Sequence, residues 1–297
     1  MKLYVLDHNS VLQDIKKEFE IVKNIDDADV VVLWNDVNPI ERGIIRLAHS
    51  QGKKVIVVQH GRRGTSKYYA PFNEKITADK LLVWGEFDRT SLLEAGQENR
   101  KIKVVGAPVF SHLQEKKRHK GINIVFSPEH WDRPIEENTK VYKELKKLKG
   151  VNLITKTIDS PSHDGQDFGN SVRTDRNSDS HLKTCCELLG VCDLVVGISE
   201  STFELLAQAM DIPVVIVDEW EPKSFGGDTR YTTYRRVVSR AVKRTSVKNL
   251  RKTIGQQLAN PNELKQQRLE VAFEEGGLGL NTLELIKNEI RFIGKKK

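Results

Sequence analysis

The sequence predicts an α/β protein with two doubly wound parallel sheets. Short β-branched apolar runs alternate with amphipathic stretches along the 297 residues, and this alternation is typical of βαβ units. The alternation breaks once, at the polar and charged segment Val109–Gly121, which we predict to be a linker. A composition of 38% hydrophobic and 30% charged residues is that of an ordinary globular protein and argues against general disorder.

The first half alternates strands and helices and predicts a domain over residues 1–115. Its strands read as continuous apolar runs, as expected for parallel strands that are buried on both faces. The predicted strands are Lys2–Leu6, Asp29–Trp34, Lys54–Val58, Lys80–Trp84 and Ile102–Val105. The predicted helices are Val11–Phe19, Glu41–Gln51 and Phe87–Ala95.

The second half predicts a domain over residues 121–297, whose last helix is a candidate to pack back on the first domain. Its predicted strands are Ile122–Phe126, Val151–Lys156, Leu194–Val196, Pro213–Val217 and the basic segment Tyr234–Arg244. Its predicted helices are Ile135–Leu148, Ser180–Leu189, Thr202–Met210, Val247–Ala259, Leu264–Phe273 and Thr282–Phe292. The stretch Asp159–Asp179 is rich in Ser, Asp, Gly and Asn, so we predict a long loop there. A cleft shared by the two domains is the expected ligand site.

The segment after the third predicted strand combines a histidine with glycines and cations. His60 ends the apolar run, and Gly61, Arg62, Arg63 and Gly64 follow it. Ligands of open α/β sheets bind outside the carboxyl ends of strands, and arginines pair with phosphate or carboxylate. We therefore predict an anion site in which His60 transfers a proton. A histidine bonded within the crevice without catalysis is the alternative.

The segment Asp193–Glu204 predicts a phosphate site at the start of a helix. A strand runs into small hydroxyl residues, whose side chains and helix amides can donate to phosphate, and a carboxylate in the first turn can accept from a ribose diol. An ordinary Ser/Thr helix cap would use the same residue types. The candidate residues are Gly197, Ser199, Glu200, Ser201, Thr202 and Glu204.

Two other strand ends carry candidate residues. Glu129 and His130 follow the first strand of the second half and are proton-transfer candidates, although a polar turn would look the same. Lys156 ends the next strand and could contact a phosphate, although a lysine there could also be simply solvated.

Charge is unevenly distributed. The net charge of +7 divides into +1 for residues 1–115 and +6 for the remainder, and Lys223–Lys252 holds ten basic residues against one acid. Aromatic residues lie among these cations, an arrangement that can hold a polyanion while its bases stack. A solvated face is the alternative. The candidates for acceptor or polyanion binding are Arg230, Tyr231, Arg235 and Arg236.

Several classes of protein are disfavoured by the sequence. It contains no apolar run of about 20 residues and no signal peptide, which predicts a cytoplasmic protein. Cys185, Cys186 and Cys192 match no zinc spacing and are expected to be reduced packing residues. No carboxylate cluster demands a divalent cation, so we expect no metal and no cofactor.

Four short motifs in this order resemble GT-B fold glycosyltransferases. They are His60-Gly61, Val105-Gly106-Ala107-Pro108, Gly197-Ile-Ser-Glu-Ser-Thr-Phe-Glu204 and Ile212-Pro213-Val214. The similarity is to the group containing CDP-glycerol glycerophosphotransferases, capsule glycosyltransferases and UDP-N-acetylglucosamine 2-epimerases, and it extends over nearly the whole chain.

The resemblance implies two Rossmann-like domains facing a cleft, with a UDP- or CDP-linked donor held mainly by the second. It assigns donor phosphates to Ser199, Ser201 and Thr202, the ribose to Glu204, and the base to His60. The chain departs from the group in lacking a second, His-Pro histidine near Lys156. It also carries Ser199-Glu200-Ser201 in place of the epimerases' Ser-Gly-Gly motif, which disfavours epimerase chemistry.

The predicted function is therefore metal-independent transfer of a sugar or polyol phosphate from a nucleotide-activated donor to an acceptor hydroxyl. A surface saccharide or polymer is the expected acceptor. One alternative is a phage-type glycosyltransferase acting on hydroxymethylated DNA bases, which the basic and aromatic stretch favours. Others are a nucleotide-sugar epimerase and a non-catalytic nucleotide-sugar binding protein. The sequence does not specify the donor, the stereochemistry or the oligomeric state.

Overall fold

The computed structural model describes residues 1–6, 12–34, 39–59, 75–128, 135–158, 168–174, 180–198, 200–217 and 240–295. The chain divides into two compact units. Unit 1 comprises Met1–Ser111 and Phe273–Lys297, and unit 2 comprises His112–Ala272. Unit 1 is therefore discontinuous in sequence.

Unit 1 contains a six-stranded parallel sheet of order β2-β1-β3-β4-β5-β6. The strands are β1 (Lys2–Leu6), β2 (Glu20–Val22), β3 (Val30–Leu33), β4 (Lys54–Val58), β5 (Lys80–Val83) and β6 (Ile102–Val104). The helices preceding the second unit are α1 (Gln13–Lys16), α2 (Pro39–Ser50) and α3 (Glu86–Glu94). Every residue of β3 is buried, as predicted for a central parallel strand.

Unit 2 contains a second six-stranded parallel sheet, of order β12-β11-β10-β7-β8-β9. The strands are β7 (Ile122–Ser127), β8 (Val151–Ile158), β9 (Ser171–Thr174), β10 (Leu194–Gly197), β11 (Val214–Val217) and β12 (Lys243–Thr245). The helices are α4 (Ile135–Leu145), α5 (His181–Gly190), α6 (Thr202–Ala209) and α7 (Leu250–Ala259). Helix α8 (Lys265–Gly276) begins in unit 2, and its residues from Phe273 onward belong to unit 1. Helix α4 packs on α7, and α5 packs on α6.

The last helix, α9 (Thr282–Gly294), belongs to unit 1. It packs on α1, β3 and β4 and buries Ile286 and Ile290 completely. Lys287 Nζ also lies 2.7 Å from Glu18 Oε1. The C-terminal segment therefore completes the hydrophobic core of the unit in which the chain begins.

The two parallel sheets confirm the predicted α/β fold class, with local corrections. Strand β9 lies inside the stretch that we predicted to be a loop, and β2 was not predicted. Only Lys243–Thr245 of the basic segment is a described strand, since residues 234–239 lie outside the described residues. The Val109–Gly121 segment begins within a 3-10 turn, Pro108–His112.

Each sheet contains one point at which the chain reverses its direction of travel across the strands. In unit 2, the chain passes from β7 outward to β8 but from β10 outward to β11 on the opposite side, although β7 and β10 are neighbours. In unit 1, the corresponding neighbours are β1 and β3. Ligands of doubly wound folds bind outside the carboxyl ends of such strand pairs.

Candidate functional site

In unit 2, two predicted motifs follow the two strands at which the sheet reverses. Gly197 at the end of β10 pairs in register with Ser127 at the end of β7. The Ser199–Glu204 motif therefore follows one strand of the pair, and Glu129 and His130 follow the other in sequence. Because the two strands are parallel, their carboxyl ends lie at one edge of the sheet.

Helix α6 begins at Thr202 with a closed capping box. Ser201 is the N-cap, and its Oγ accepts a hydrogen bond from the Phe203 N–H at 3.2 Å. Glu204 Oε2 in turn accepts from the Ser201 N–H at 2.7 Å and from Ser201 Oγ at 2.5 Å. The Glu204 side chain is buried, with the residue 1% exposed. This reciprocal cap fixes the backbone at the start of α6.

Glu200 is bound to an arginine from the edge strand β12. Arg244 Nη2 donates to Glu200 Oε1 at 2.5 Å, and the Glu200 side chain is only 4% exposed. Arg244 stands in register with Ile216 on β11, which itself stands in register with Gly197 on β10. The ion pair thus spans the carboxyl edge of the sheet and secures the residue before the helix cap.

Lys156 lies beside the first turn of α6. Its Nζ is 5.1 Å from the centre of the Phe203 ring, a cation–π distance. The structure therefore brings Lys156 beside the first turn of α6, although Lys156 lies within β8, which runs to Ile158, and does not end the strand as predicted. A cation at a helix N-terminus adds to the positive end of the helix dipole, which suits an anionic ligand.

The three cysteines lie in the core of unit 2 and are free. Burial raises the pKa of the Cys185 thiol and raises that of both Cys186 and Cys192 to about 12. Buried thiols with raised pKa values stay protonated and unreactive at neutral pH. The prediction that they are packing residues is confirmed.

In unit 1, a buried amide fixes the end of β4. Gln59 is 0% exposed, its Nε2 donates to Asp88 Oδ2 at 2.9 Å, and its Oε1 accepts from the Trp84 N–H at 3.0 Å. Trp84 Nε1 also donates to the Gln59 carbonyl at 2.7 Å. The residue that precedes His60 is therefore held by Asp88 of α3 and by Trp84, which directly follows β5.

Many of the predicted site residues lie outside the described residues, and their roles stay predictions. These are His60, Gly61, Arg62, Arg63, Glu129, His130, Ser199, Arg230, Tyr231, Arg235 and Arg236. The described ones are Lys156, Gly197, Glu200, Ser201, Thr202 and Glu204, all in unit 2.

Sequence reasoning did not single out Arg244 or the Gln59–Trp84–Asp88 hydrogen bonds. The hydrogen bonds of Gln59 could have been predicted, because Gln59 directly follows an apolar strand and a buried polar side chain requires partners. Arg244 carried no comparable signal, because it lies among many surface cations.

Among the described residues, no group of three His, Cys, Asp or Glu side chains could hold a metal ion. Nor does any described helix have the length and apolarity needed to cross a bilayer.

Sequence comparison identifies no relative. No family model matches the chain, and no curated protein matches its sequence.

Solved structures, in contrast, resemble the chain over nearly its full length. The wall teichoic acid polymerase TagF superposes with a TM-score of 0.64 at 13% identity, covering 99% of this chain and 89% of that one. Anabaena Alr3699/HepE in complex with UDP and glucose gives 0.56 at 10% identity, covering 100% and 99%. The UDP-GlcNAc 2-epimerase of Neisseria meningitidis, bound to UDP-GlcNAc, gives 0.55 at 13% identity, covering 95% and 80%. With its two parallel six-stranded sheets and their flanking helices, the chain has the α/β architecture of these GT-B-like proteins, as its motifs predicted.

Proposed function

We propose that the chain is a nucleotide-dependent glycosyltransferase or polyol-phosphate transferase that binds its donor on unit 2. The observation that carries the proposal is the capped start of α6 directly after β10, at the reversal point of the sheet, with Lys156 alongside. Fold neighbours whose structures contain UDP-glucose, UDP-GlcNAc or CDPG add support at the level of fold.

In the proposed reaction, His60 accepts the proton of an acceptor hydroxyl as that oxygen attacks the activated sugar carbon or phosphorus. The nucleotide leaves with the bonding electrons. The amides at the start of α6 and the Lys156 ammonium stabilise the negative charge on its phosphates. Glu129 and His130 are alternative proton-transfer residues, Arg62 and Arg63 bind the donor or an anionic acceptor, and no metal takes part.

The first experiment identifies the donor. Wild-type protein is screened by thermal shift against UDP, CDP, other nucleotides and their sugar or glycerol conjugates, with a chelator present. A ligand that binds only the folded state adds about 2.7 kcal/mol of stability at 100 times its dissociation constant and raises the melting temperature. Absence of a shift with every nucleotide would contradict the proposal.

A matched pair of lysine variants tests the location of the donor. Lys156→Met should weaken binding of the identified nucleotide, because it removes the cation beside α6. Lys183→Met removes an exposed lysine of α5 that pairs only loosely with Glu187, at 4.0 Å, and should bind as the wild type does. Equal affinity of both variants would place the donor elsewhere.

Kinetics with the identified donor test the base. His60→Ala should lower kcat by about a hundredfold or more while leaving donor affinity nearly unchanged, since general bases contribute rate rather than donor binding. Wild-type turnover by His60→Ala would refute the base assignment.

An epimerase remains the competing enzyme, because one fold neighbour is a UDP-GlcNAc 2-epimerase. An epimerase converts the nucleotide sugar without an acceptor, whereas a transferase releases nucleotide in proportion to acceptor glycosylated. Product analysis with and without acceptor separates the two activities.

A further inference from the structure

We propose that Glu200 is a charge partner of Arg244 and not a donor ligand, and that Arg244 sets donor affinity by neutralising it. The inference rests on the proposed function and revises our sequence-based expectation that Glu200 contacts the donor. It uses only described residues of unit 2.

The ion pair explains how Glu200 can be charged where it lies. Its side chain is 4% exposed, and a carboxylate so deeply buried requires a close cationic partner. The 2.5 Å hydrogen bond from Arg244 provides one. Removing the arginine would leave a buried negative charge without that partner at the carboxyl edge of the sheet.

The position of Glu200 makes its charge matter for an anionic ligand. It precedes Ser201, so Glu200 and Glu204 flank the N-cap of the helix proposed to receive donor phosphates. Two carboxylates at this turn would oppose a phosphate. Arg244 offsets the first, and the second accepts hydrogen bonds from the Ser201 N–H and hydroxyl within the capping box. The dipole of α6 then remains to attract the anion.

This arrangement predicts that the two residues have opposite effects on affinity. Arg244→Gln exposes the phosphate to a carboxylate that has lost its arginine partner and should weaken nucleotide binding about tenfold or more. Glu200→Gln removes a negative charge and should bind at least as tightly as the wild type. The double variant, which removes both charges, should return to within about threefold of wild-type affinity.

The test is isothermal titration of these variants with UDP and CDP at low and high salt. Lys243→Gln is the matched control, since Lys243 is the preceding residue of β12 and pairs with Glu263 instead; it should bind like the wild type. Arg244→Lys keeps the charge and should also stay within about threefold of wild type. This variant keeps the proposal testable if Arg244→Gln folds poorly, which melting curves will report.

Each contrary outcome has a distinct meaning. Weakened binding by Glu200→Gln would overturn the proposal in favour of direct donor contact by Glu200. A double variant as weak as Arg244→Gln would overturn it in favour of direct contact by Arg244, and unchanged binding by Arg244→Gln would overturn it outright. Wild-type protein that binds neither nucleotide would refute the proposed function, and this inference with it.

Discussion

Ser201 combines a structural and a proposed functional role in one side chain. It caps α6 by accepting from Phe203 N–H and bonds to Glu204 Oε2. A helix start used for phosphate binding must be rigid, because amides that reorganise on binding lose part of their electrostatic advantage. The capping box provides that rigidity before any ligand arrives.

Ser201→Ala should therefore lower the free energy of unfolding by about 1 kcal/mol, the usual cost of a lost N-cap. Urea unfolding followed by circular dichroism measures this cost. Ser201→Thr retains the hydroxyl and should lose far less. An alanine variant as stable as wild type would mean that the cap contributes nothing in solution.

Gln59 and Gln208 are two buried glutamines that differ in their hydrogen bonding. Both are 0% exposed, but Gln59 is bonded to Asp88 and Trp84, whereas neither side-chain polar atom of Gln208 has a partner within the described residues. Gln59→Leu should cost about 2 kcal/mol, because the Trp84 N–H and the Asp88 carboxylate each lose a partner. Gln208→Leu should be neutral or stabilising. Equal losses in urea unfolding would contradict this contrast.

At the scale of elements, an acid after α6 connects that helix to α8. Asp211 has a positive φ of 55° and accepts from Arg268 Nε at 3.0 Å, while Lys265 Nζ lies 2.9 Å away. Partial burial acts to raise the pKa of the Asp211 carboxyl. The hydrogen bonds from Lys265 and Arg268 outweigh it, so its pKa lies below the ordinary value of 3.8.

The sign of this shift predicts how stability depends on pH. A carboxyl whose pKa is lower in the folded state stabilises the fold above its unfolded pKa and loses that contribution as pH falls through the folded value. Asp211→Asn tolerates the positive φ but cannot ionise. The difference in unfolding free energy between wild type and Asp211→Asn should be largest at neutral pH and shrink in acid. A difference that is constant with pH, in urea titrations, would contradict the assignment.

Elements were predictable from the sequence where local pattern and tertiary role agree. Every residue of the central strands β3, β10 and β11 is buried, and β4 and β7 are largely apolar and buried, so hydropathy alone located these five strands. Strand β9 has the polar sequence Ser-Val-Arg-Thr and forms at the sheet edge beside β8, a long-range pairing that no local pattern encodes. Arg244 was missed for the same reason, since its partner Glu200 is 44 residues away.

At the scale of the whole molecule, the C-terminal segment Phe273–Lys297 packs closely within unit 1. A Cβ on Gly85, which precedes α3, would come within 1.9 Å of the Glu274 carbonyl oxygen. Gly52, in contrast, has a φ of +69° but nothing within 4 Å of such an atom. Gly85 is required because its neighbours leave no room for a side chain, whereas Gly52 is required because its φ is positive.

Gly85→Ala should therefore destabilise the protein by more than Gly52→Ala, for which a cost of about 1 kcal/mol is expected. Gly85→Ala should also make the C-terminal segment more susceptible to protease, because the backbone near Glu274 must shift. Equal stability of the two variants, with unchanged digestion patterns, would contradict the close packing.

The discontinuity of unit 1 has a consequence for biosynthesis. The ribosome delivers all of residues 112–272 before it delivers 273–297, so unit 2 can fold while unit 1 still lacks α9 and the burial of Ile286 and Ile290. Domains of a nascent chain usually fold in order from the N-terminus, but here the second unit can be finished first. Until α9 emerges from the ribosome, the nascent first unit would be stabilised only by its incomplete core or protected by a chaperone.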